Sequence, residues 1–278
     1  MNKLPIQTFL ALSLASFGSP GPAQGQESTG ARWVQSRVID APEAIQAAAA
    51  DDKCVYAISS TEVAKYDRES GKRIATSTGD ATHLNSGFVW ERRLYCAHSN
   101  YPQTPEKSEL KVLDLETMRL TTFREFGNFG GSLTWAVRQK DHWWCNFARY
   151  GKDNGETFLV KFDAQWQEQG RWTYPPEVIR ELDNFSLSGG VWLDGSLFVT
   201  DHDHQVLYRM TIPQEGQVLK FIEKQPVPFT GQGIAVDPKG GMVGINRAKR
   251  QVVFAQRETR AKKASERPVQ RRAEKAPD

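Results

Sequence analysis

The sequence contains few cysteines, and none is spaced for metal binding or disulfide exchange. Only three occur in 278 residues, Cys54, Cys96 and Cys145, and no two form a CxxC pair. Each lies in an apolar run of the kind that forms a buried strand. We therefore interpret them as small buried apolar side chains in preference to a disulfide pair, and the spacing does not support a zinc knuckle or a thioredoxin-like site.

The common catalytic signatures are also missing. The sequence has no GxSxG, HExxH or P-loop motif. Its Gly231-Gln232-Gly233 segment begins a β-repeat, whereas a dinucleotide-binding turn would precede a helix. Any chemistry would therefore depend on polar side chains that the fold brings together.

Long hydrophobic runs are absent. No segment approaches the roughly eighteen apolar residues of a transmembrane helix, so no transmembrane segment is predicted. The N-terminus has Lys3, a short apolar core over residues 9–15 and small residues up to Gly25. This pattern predicts a cleaved signal peptide at residues 1–25 and export to the periplasm or the cell exterior.

The net charge of +3 comes from one end of the chain. Residues 257–278 hold eight Lys or Arg and four Asp or Glu, a local charge of +4 that leaves 3 − 4 = −1 for the rest. We predict that this segment is a disordered basic tail, able to touch anionic surfaces. The near-neutral remainder argues against a body that binds nucleic acid sequence-specifically.

The sequence is rich in aromatic residues, glycine and proline, and it contains five similar segments in succession. Five segments, starting near residues 43, 83, 131, 188 and 231, share one order of apolar strand, polar turn, second strand, variable loop and third strand. The matched residues Asp67, Asp114 and Asp163 are 47 and then 49 positions apart. This spacing is typical of propeller blades, so we predict an all-β, five-bladed β-propeller over residues 26–256.

The fifth repeat lacks a fourth strand. The chain becomes basic after Phe254, whereas a strand-like segment, residues 33–39, precedes the first repeat. We predict that this N-terminal strand pairs with the last blade, because a ring closed in this way hides two open sheet edges.

One face of the predicted disc carries most of the polar residues. It holds the starts of the innermost strands and the loops between second and third strands, two of which are lengthened, over residues 100–109 and 150–156. Long loops on a rigid scaffold commonly carry binding specificity. The candidate ligand-binding residues on this face are Glu43, Asn85, Tyr101, Asn146, Arg149, Asp201, His202, Gln232, Asn246 and Arg247.

Two histidines could carry acid–base chemistry. His83 starts an inner strand two residues before Asn85, so both side chains should point the same way. His98 leaves the second strand of the same blade, near His83. The pair could act at the mouth of the channel, or His83 and Asn85 could instead make hydrogen bonds between blades.

The run from Asp201 to His204 has the composition of a metal cluster. In a strand, however, alternation would send Asp201 and Asp203 to one side and His202 and His204 to the other. The segment TDHDHQVLY at residues 200–208 also resembles the turn of NHL-type propeller blades, in which an Asp caps the hairpin. This resemblance implies a structural role in a turn for Asp203 and His204, whereas Asp201 and His202 remain candidates because they lie nearer the axis.

Four blade motifs carry resemblances to known propeller families. The motifs GIAVDPKGG at residues 233–241 and DGSLFVTD at 194–201 resemble NHL-repeat and gluconolactonase-type propellers. The motifs THLNSG at 82–87 and WWCNFARYG at 143–151 resemble secreted bacterial propellers labelled cycloisomerase-like and largely uncharacterised. Blade motifs specify a fold better than a function.

The resemblance implies two chemistries. Gluconolactonase-type enzymes hold a divalent metal at the axis with Glu, Asn and Asp side chains. In this sequence Glu43, Asn85 and Asp201 could bind Ca²⁺ or Zn²⁺ in the same way, and Asn246 could take the place of Asp201. A cycloisomerase-like reaction would need a histidine acid or base, for which His83 and His98 are the candidates.

Two functions therefore remain open from the sequence. The first is an exported propeller that binds a small molecule, carbohydrate, peptide or protein on the polar face. The second is a metal-dependent lactonase, lyase or cycloisomerase-like enzyme at the axial mouth. Three or more convergent His, Glu, Asp or Asn side chains would favour the enzyme.

Overall fold

The computed structural model describes residues 32–258, which form a closed ring of five antiparallel four-stranded sheets. The predicted five-bladed β-propeller is confirmed. The predicted signal peptide, and the tail beyond Glu258, lie outside the described residues. Blade 1 contains β2 (Ala47–Ala50), β3 (Cys54–Ile58), β4 (Val63–Asp67) and β5 (Arg73–Thr76). Blade 2 contains β6 (Leu84–Trp90), β7 (Arg93–Ser99), β8 (Ser108–Asp114) and β9 (Leu120–Gly127).

The other three blades follow the same plan. Blade 3 contains β10 (Ser132–Gln139), β11 (His142–Ala148), β12 (Phe158–Phe162) and β13 (Glu168–Thr173). Blade 4 contains β14 (Gly189–Leu193), β15 (Ser196–Thr200), β16 (Val206–Thr211) and β17 (Lys220–Pro226). Blade 5 contains β18 (Ala235–Val236), β19 (Met242–Asn246), β20 (Gln251–Glu258) and β1 (Arg32–Asp40). A 3₁₀ helix (Gly151–Glu156) and α1 (Pro176–Ile179) lie in loops, and none of the described helices has the length and apolar character needed to cross a membrane.

The N-terminal strand closes the ring as predicted. β1 pairs antiparallel with β20, from Arg32 opposite Glu258 to Asp40 opposite Gln251, with one bulge between Gln35 and Arg37. β20 extends two residues beyond the predicted end of the propeller. Arg257 and Glu258, which we assigned to the tail, are therefore paired strand residues.

The inner strands pack tightly around the axis because their residues are small. All four residues of β2 are alanines, and all are buried. Gly233 donates its N–H to Gln46 O at 2.8 Å, and a Cβ at this position would lie 2.5 Å from the Cβ of Ala47. Ser86 Oγ also lies 3.5 Å from Ile234 O. Blades 2 and 5 both flank blade 1, so this last contact joins two blades that are not neighbours in the ring.

The cysteine interpretation agrees with the structure. All three cysteines are free, Cys96 and Cys145 are buried, and Cys54 is partly buried. Burial raises the pKa of the Cys96 thiol to about 12. A thiol with so high a pKa is a poor nucleophile, so it serves as an apolar side chain.

The two faces of the disc differ in their loops. We call the face with the inner-strand starts the site face; it carries the connections 59–62, 100–107, 149–157, 201–205 and 247–250. We call the opposite face, with the short connections 51–53, 91–92, 140–141, 194–195 and 237–241, the turn face.

Candidate functional site

Three aromatic rings form a continuous step on the site face. The rings of His83 and Tyr101 lie 5.5 Å apart between centroids, and those of Tyr101 and Tyr150 lie 5.0 Å apart. We call these three residues the aromatic step. His83 and Tyr150 are half-buried, whereas the Tyr101 side chain is 43% exposed. The step joins blade 2 to blade 3, and Tyr101 is its most exposed ring.

The loop that carries Tyr101 is fixed by one side chain. Asn100 Oδ1 accepts the N–H of Lys107 at 2.7 Å, and Asn100 Nδ2 donates to Pro105 O at 3.0 Å. The N–H of Gln103 donates to Asn100 O at 2.9 Å. These bonds close the loop on itself, so Tyr101 is presented on an ordered loop. A pre-ordered aromatic group loses little entropy when it binds a ligand.

A cavity of about 380 Å³ adjoins the step between the loops of blades 2 and 3. Arg149 borders it, donates to Gly130 O at 3.3 Å, and lies 3.7 Å from Asp153 and 3.5 Å from Glu156. The sequence placed the lengthened loop 100–109 on this face but did not single out Glu106 within it, nor Asn128, because neither belongs to a recognisable motif. The lining residues include Thr104, Glu106, Asn128, Gly130, Arg149 and Tyr150.

The surroundings of His83 favour its neutral form. Burial lowers its pKa, and the positive charge of Arg247 lowers it further. Arg247 is partly buried in the loop that follows β19, where its N–H donates to Thr230 Oγ1 at 3.2 Å. Both residues belong to the site face, as the sequence predicted.

His98 lies behind the site face and contacts no open surface. Its ring is buried, and Nε2 accepts the backbone N–H of Thr82 at 3.0 Å. Burial, with a smaller effect of Lys111, lowers its pKa to about 4. Nδ1 is 3.7 Å from Glu109 Oε2, too far for a hydrogen bond. The lone pair that an acid–base group would use is thus already occupied, and this geometry gives the proposed catalytic role of His98 no support.

We expect His98 to make the fold sensitive to mild acid. The unfolded chain protonates this histidine near pH 6.5 and the folded chain only near pH 4, so stability is fully present above 6.5 and falls as the pH drops between these values. The shift corresponds to about 3 kcal/mol. Urea unfolding at pH 7.0 and 4.5 should show most of this loss, and His98→Gln should remove it because Gln retains an acceptor for Thr82.

The matched control for that experiment is His142→Gln, which changes a histidine on the turn face. This variant should keep the pH dependence of the unmodified protein. An equal loss of unfolding free energy in the His98→Gln variant would contradict the assignment.

Four predicted ligand-binding amides are used by the fold. Asn85 Nδ2 donates to Leu133 O of the next blade at 3.0 Å. Asn146 donates to Thr134 Oγ1 at 2.8 Å and accepts from Tyr174 at 2.7 Å. Gln232 Nε2 donates to His202 O at 2.7 Å, and Asn246 Oδ1 accepts the N–H of Lys249 at 3.1 Å. The bond of Asn85 is the hydrogen bond between blades that the sequence left open as the alternative to a role in the site.

The three candidate metal ligands have separate partners. Glu43 lies in the connection from blade 5 to blade 1, where its carboxylate accepts hydrogen bonds from Tyr66 and, at 2.8 Å, from Arg73. Burial alone would raise the pKa of Glu43, but these bonds lower it overall. Asn85 bonds to blade 3, and Asp201 to its own turn. Within residues 32–258 no group of three or more His, Cys, Asp or Glu is arranged to hold a metal ion.

The segment after β15 departs from the expected alternation because residues 201–205 form a turn instead of a strand. Asp201 is 1% exposed, and its carboxylate bonds to His204. His202 instead stacks on Phe185, with 4.0 Å between ring centroids. Alternation placed His204 on the side opposite Asp201, but the turn that the sequence also predicted brings the two side chains together.

The fold defines the class of protein, a five-bladed β-propeller. No protein-family model and no curated protein matches this chain. Among solved structures, Myxococcus xanthus glutaminyl cyclase aligns with 82% of this chain and 97% of its own, at 10% identity and a TM-score of 0.54. A mitotic checkpoint complex structure aligns with 90% and 98%, at 12% identity and a TM-score of 0.44. At these identities the first similarity concerns the fold alone, and the gluconolactonase-type resemblance stays a prediction.

Proposed function

We propose that this protein is an exported ligand-binding propeller that holds a carbohydrate on the site face. The observation that carries the proposal is the aromatic step, held by the loops of two neighbouring blades beside a polar cavity. A tyrosine ring offers an apolar face with a polar tip, which suits a sugar ring with its C–H face and hydroxyl rim. Arg149, Asn128 and Glu106 supply both donors and acceptors for those hydroxyls.

The enzyme alternative requires larger changes. Glu43 and Asp201 would each have to leave present hydrogen-bond partners to meet around one ion. Breaking buried hydrogen bonds of charged groups costs about 1.5–3 kcal/mol each. The aromatic step requires no such rearrangement, so binding is the function that we favour. The predicted signal peptide at residues 1–25 makes the periplasm or the cell exterior the expected location, which N-terminal sequencing of the mature protein would check.

Tyr101→Ala should weaken carbohydrate binding at least tenfold, a loss of about 1.4 kcal/mol or more. The reason is that Tyr101 provides the exposed part of the step, at 43% exposure. A glycan array would identify a ligand, and isothermal titration would then compare the variants.

Two controls make this test specific. Tyr101→Phe keeps the ring and should retain most of the affinity, whereas Ile74→Ala, at an exposed position of the outer strand β5, should change nothing. A Tyr101→Ala variant with unchanged affinity would refute the proposed site. Selective binding of peptides, with no glycan bound, would replace carbohydrate by peptide as the ligand class.

A further inference from the structure

The turn between β15 and β16 couples a buried carboxylate to an exposed imidazole. Asp201 Oδ1 accepts the backbone N–H of His204 at 2.8 Å, and Oδ2 lies 2.6 Å from His204 Nδ1. The Asp201 carbonyl also accepts the N–H of Gln232 at 2.9 Å. The Asp201 side chain is 2% exposed and that of His204 is 64% exposed. The carboxylate is therefore fixed by the fold, while the imidazole projects outward.

This geometry determines the tautomer of His204. An ionised carboxylate can only accept hydrogen bonds, so the hydrogen between the two groups belongs to Nδ1. The lone pair of Nε2 then points away from Asp201, and no other residue of the described range 32–258 hydrogen-bonds to the ring. The bond to Asp201 raises the pKa of His204, because the carboxylate stabilises the imidazolium. Catalytic general bases use the same arrangement, in which a buried carboxylate orients a histidine.

The imidazole borders a cavity of about 690 Å³ between blade 4 and the segment that contains α1. Arg180 and Lys224 line it with positive charge, and Glu181 and Asp183 line it with negative charge. Glu181 accepts hydrogen bonds from Tyr208 and Lys224, both at 2.9 Å. The two cations and two carboxylates balance, so the lining has no net charge that would attract an ion of one sign. It shares no lining residue with the cavity beside the aromatic step.

We propose that Asp201 and His204 form a general-base dyad in this cavity that hydrolyses small uncharged esters. His204 Nε2 removes a proton from water as the water oxygen attacks the ester carbonyl carbon. The bond from that carbon to the leaving oxygen then breaks, and the proton passes from the imidazolium to the leaving group or to solvent. The products are a carboxylic acid and an alcohol, and the imidazole is regenerated. Asp201 acts as a positioning residue. This activity is separate from carbohydrate binding at the aromatic step.

The probe is p-nitrophenyl acetate, hydrolysed by the purified full chain between pH 5 and 9. The protein should hydrolyse the ester faster than buffer alone. The rate should rise with pH along a single titration curve with a midpoint above 6.5, the ordinary pKa of histidine. His204→Gln should lower the rate at least tenfold, and circular dichroism would check that the variant keeps the fold once Asp201 has lost its imidazole partner. His142→Gln, which changes a histidine on the turn face, should keep the full rate.

Asp201→Asn separates positioning from packing. The amide can still accept the backbone N–H of His204 but stabilises the imidazolium less, so the midpoint should move down toward 6.5 and the rate should fall. An Asp201→Asn variant with an unchanged rate and an unchanged midpoint would overturn the role of Asp201. Equal rates in the unmodified protein and the His204→Gln variant would overturn the dyad. Acetylated protein detected by mass spectrometry would show direct attack by the imidazole and would overturn the general-base assignment.

Discussion

A chain that begins at Ala41 should fail to fold cooperatively, whereas one that begins at Arg32 should fold like the full-length protein. The truncation removes β1, which pairs with the whole of β20 and completes blade 5. Its loss exposes the backbone edge of β20 and removes Trp33 and Ile39, each 4% exposed, from the core. Circular dichroism melting and size-exclusion chromatography would compare the two chains.

A single substitution tests the same ring closure with a smaller perturbation. Trp33 Nε1 donates to Gln225 Oε1 of blade 4 at 2.8 Å, so this residue links the last two blades. Trp33→Ala should cost about 3–5 kcal/mol of unfolding free energy. Trp33→Phe keeps much of the packing and should cost clearly less. Cooperative melting of the Ala41 chain near the full-length temperature would mean that the ring does not depend on β1.

Arg68→Met should destabilise the protein by about 3–5 kcal/mol, since it leaves a buried carboxylate without its counter-charge. Arg68 Nη2 donates to both carboxylate oxygens of Asp237, at 2.8 and 2.6 Å, and Nη1 donates to Asp51 O at 2.9 Å. The side chains of Arg68 and Asp237 are 7% and 6% exposed. The pair joins the turns of blades 1 and 5, next to the seam where the ring closes.

A double-mutant cycle in urea would isolate this interaction. Arg68→Met with Asp237→Leu removes both charges, so the double variant should lose much less than the sum of the two single losses. The control is the pair Arg92 and Glu116, whose side chains are 84% and 76% exposed. Arg92→Met should cost less than about 1 kcal/mol. Additive losses for Arg68 and Asp237 would show that the two side chains are not coupled.

The order of the blades could be predicted from the sequence because each blade is encoded locally. Apolar runs of strand length, broken by turns such as Asp194-Gly195, recur with nearly constant spacing whatever the partner blade is. The closing strand was predictable for a related reason. The fifth repeat lacks one strand, residues 33–39 have no blade of their own, and an open sheet edge is unfavourable.

The candidate site was predictable only in its location. The lengthened loops placed Tyr101 and Arg149 on the site face, where the structure has them. Sequence position could not show that the Asn85 amide donates to Leu133 of the next blade, or that the Asn146 amide donates to Leu187 in the connection to blade 4, because these acceptors lie 48 and 41 residues away in the chain. Nor could it show the coupling of Arg68 to Asp237, which are 169 residues apart.

The sequence by itself determined the propeller, its five blades, its closure and the face that carries the long loops, since strand period and repeat spacing are local properties of the chain. Only the tertiary structure decided which polar groups stay free for a ligand. Hydrogen bonding depends on distances between blades, and a single turn at residues 201–205 was enough to bring His204 onto Asp201, although alternation placed the two on opposite sides. Side-chain alternation predicts orientation within a strand, and it no longer applies where the strand ends.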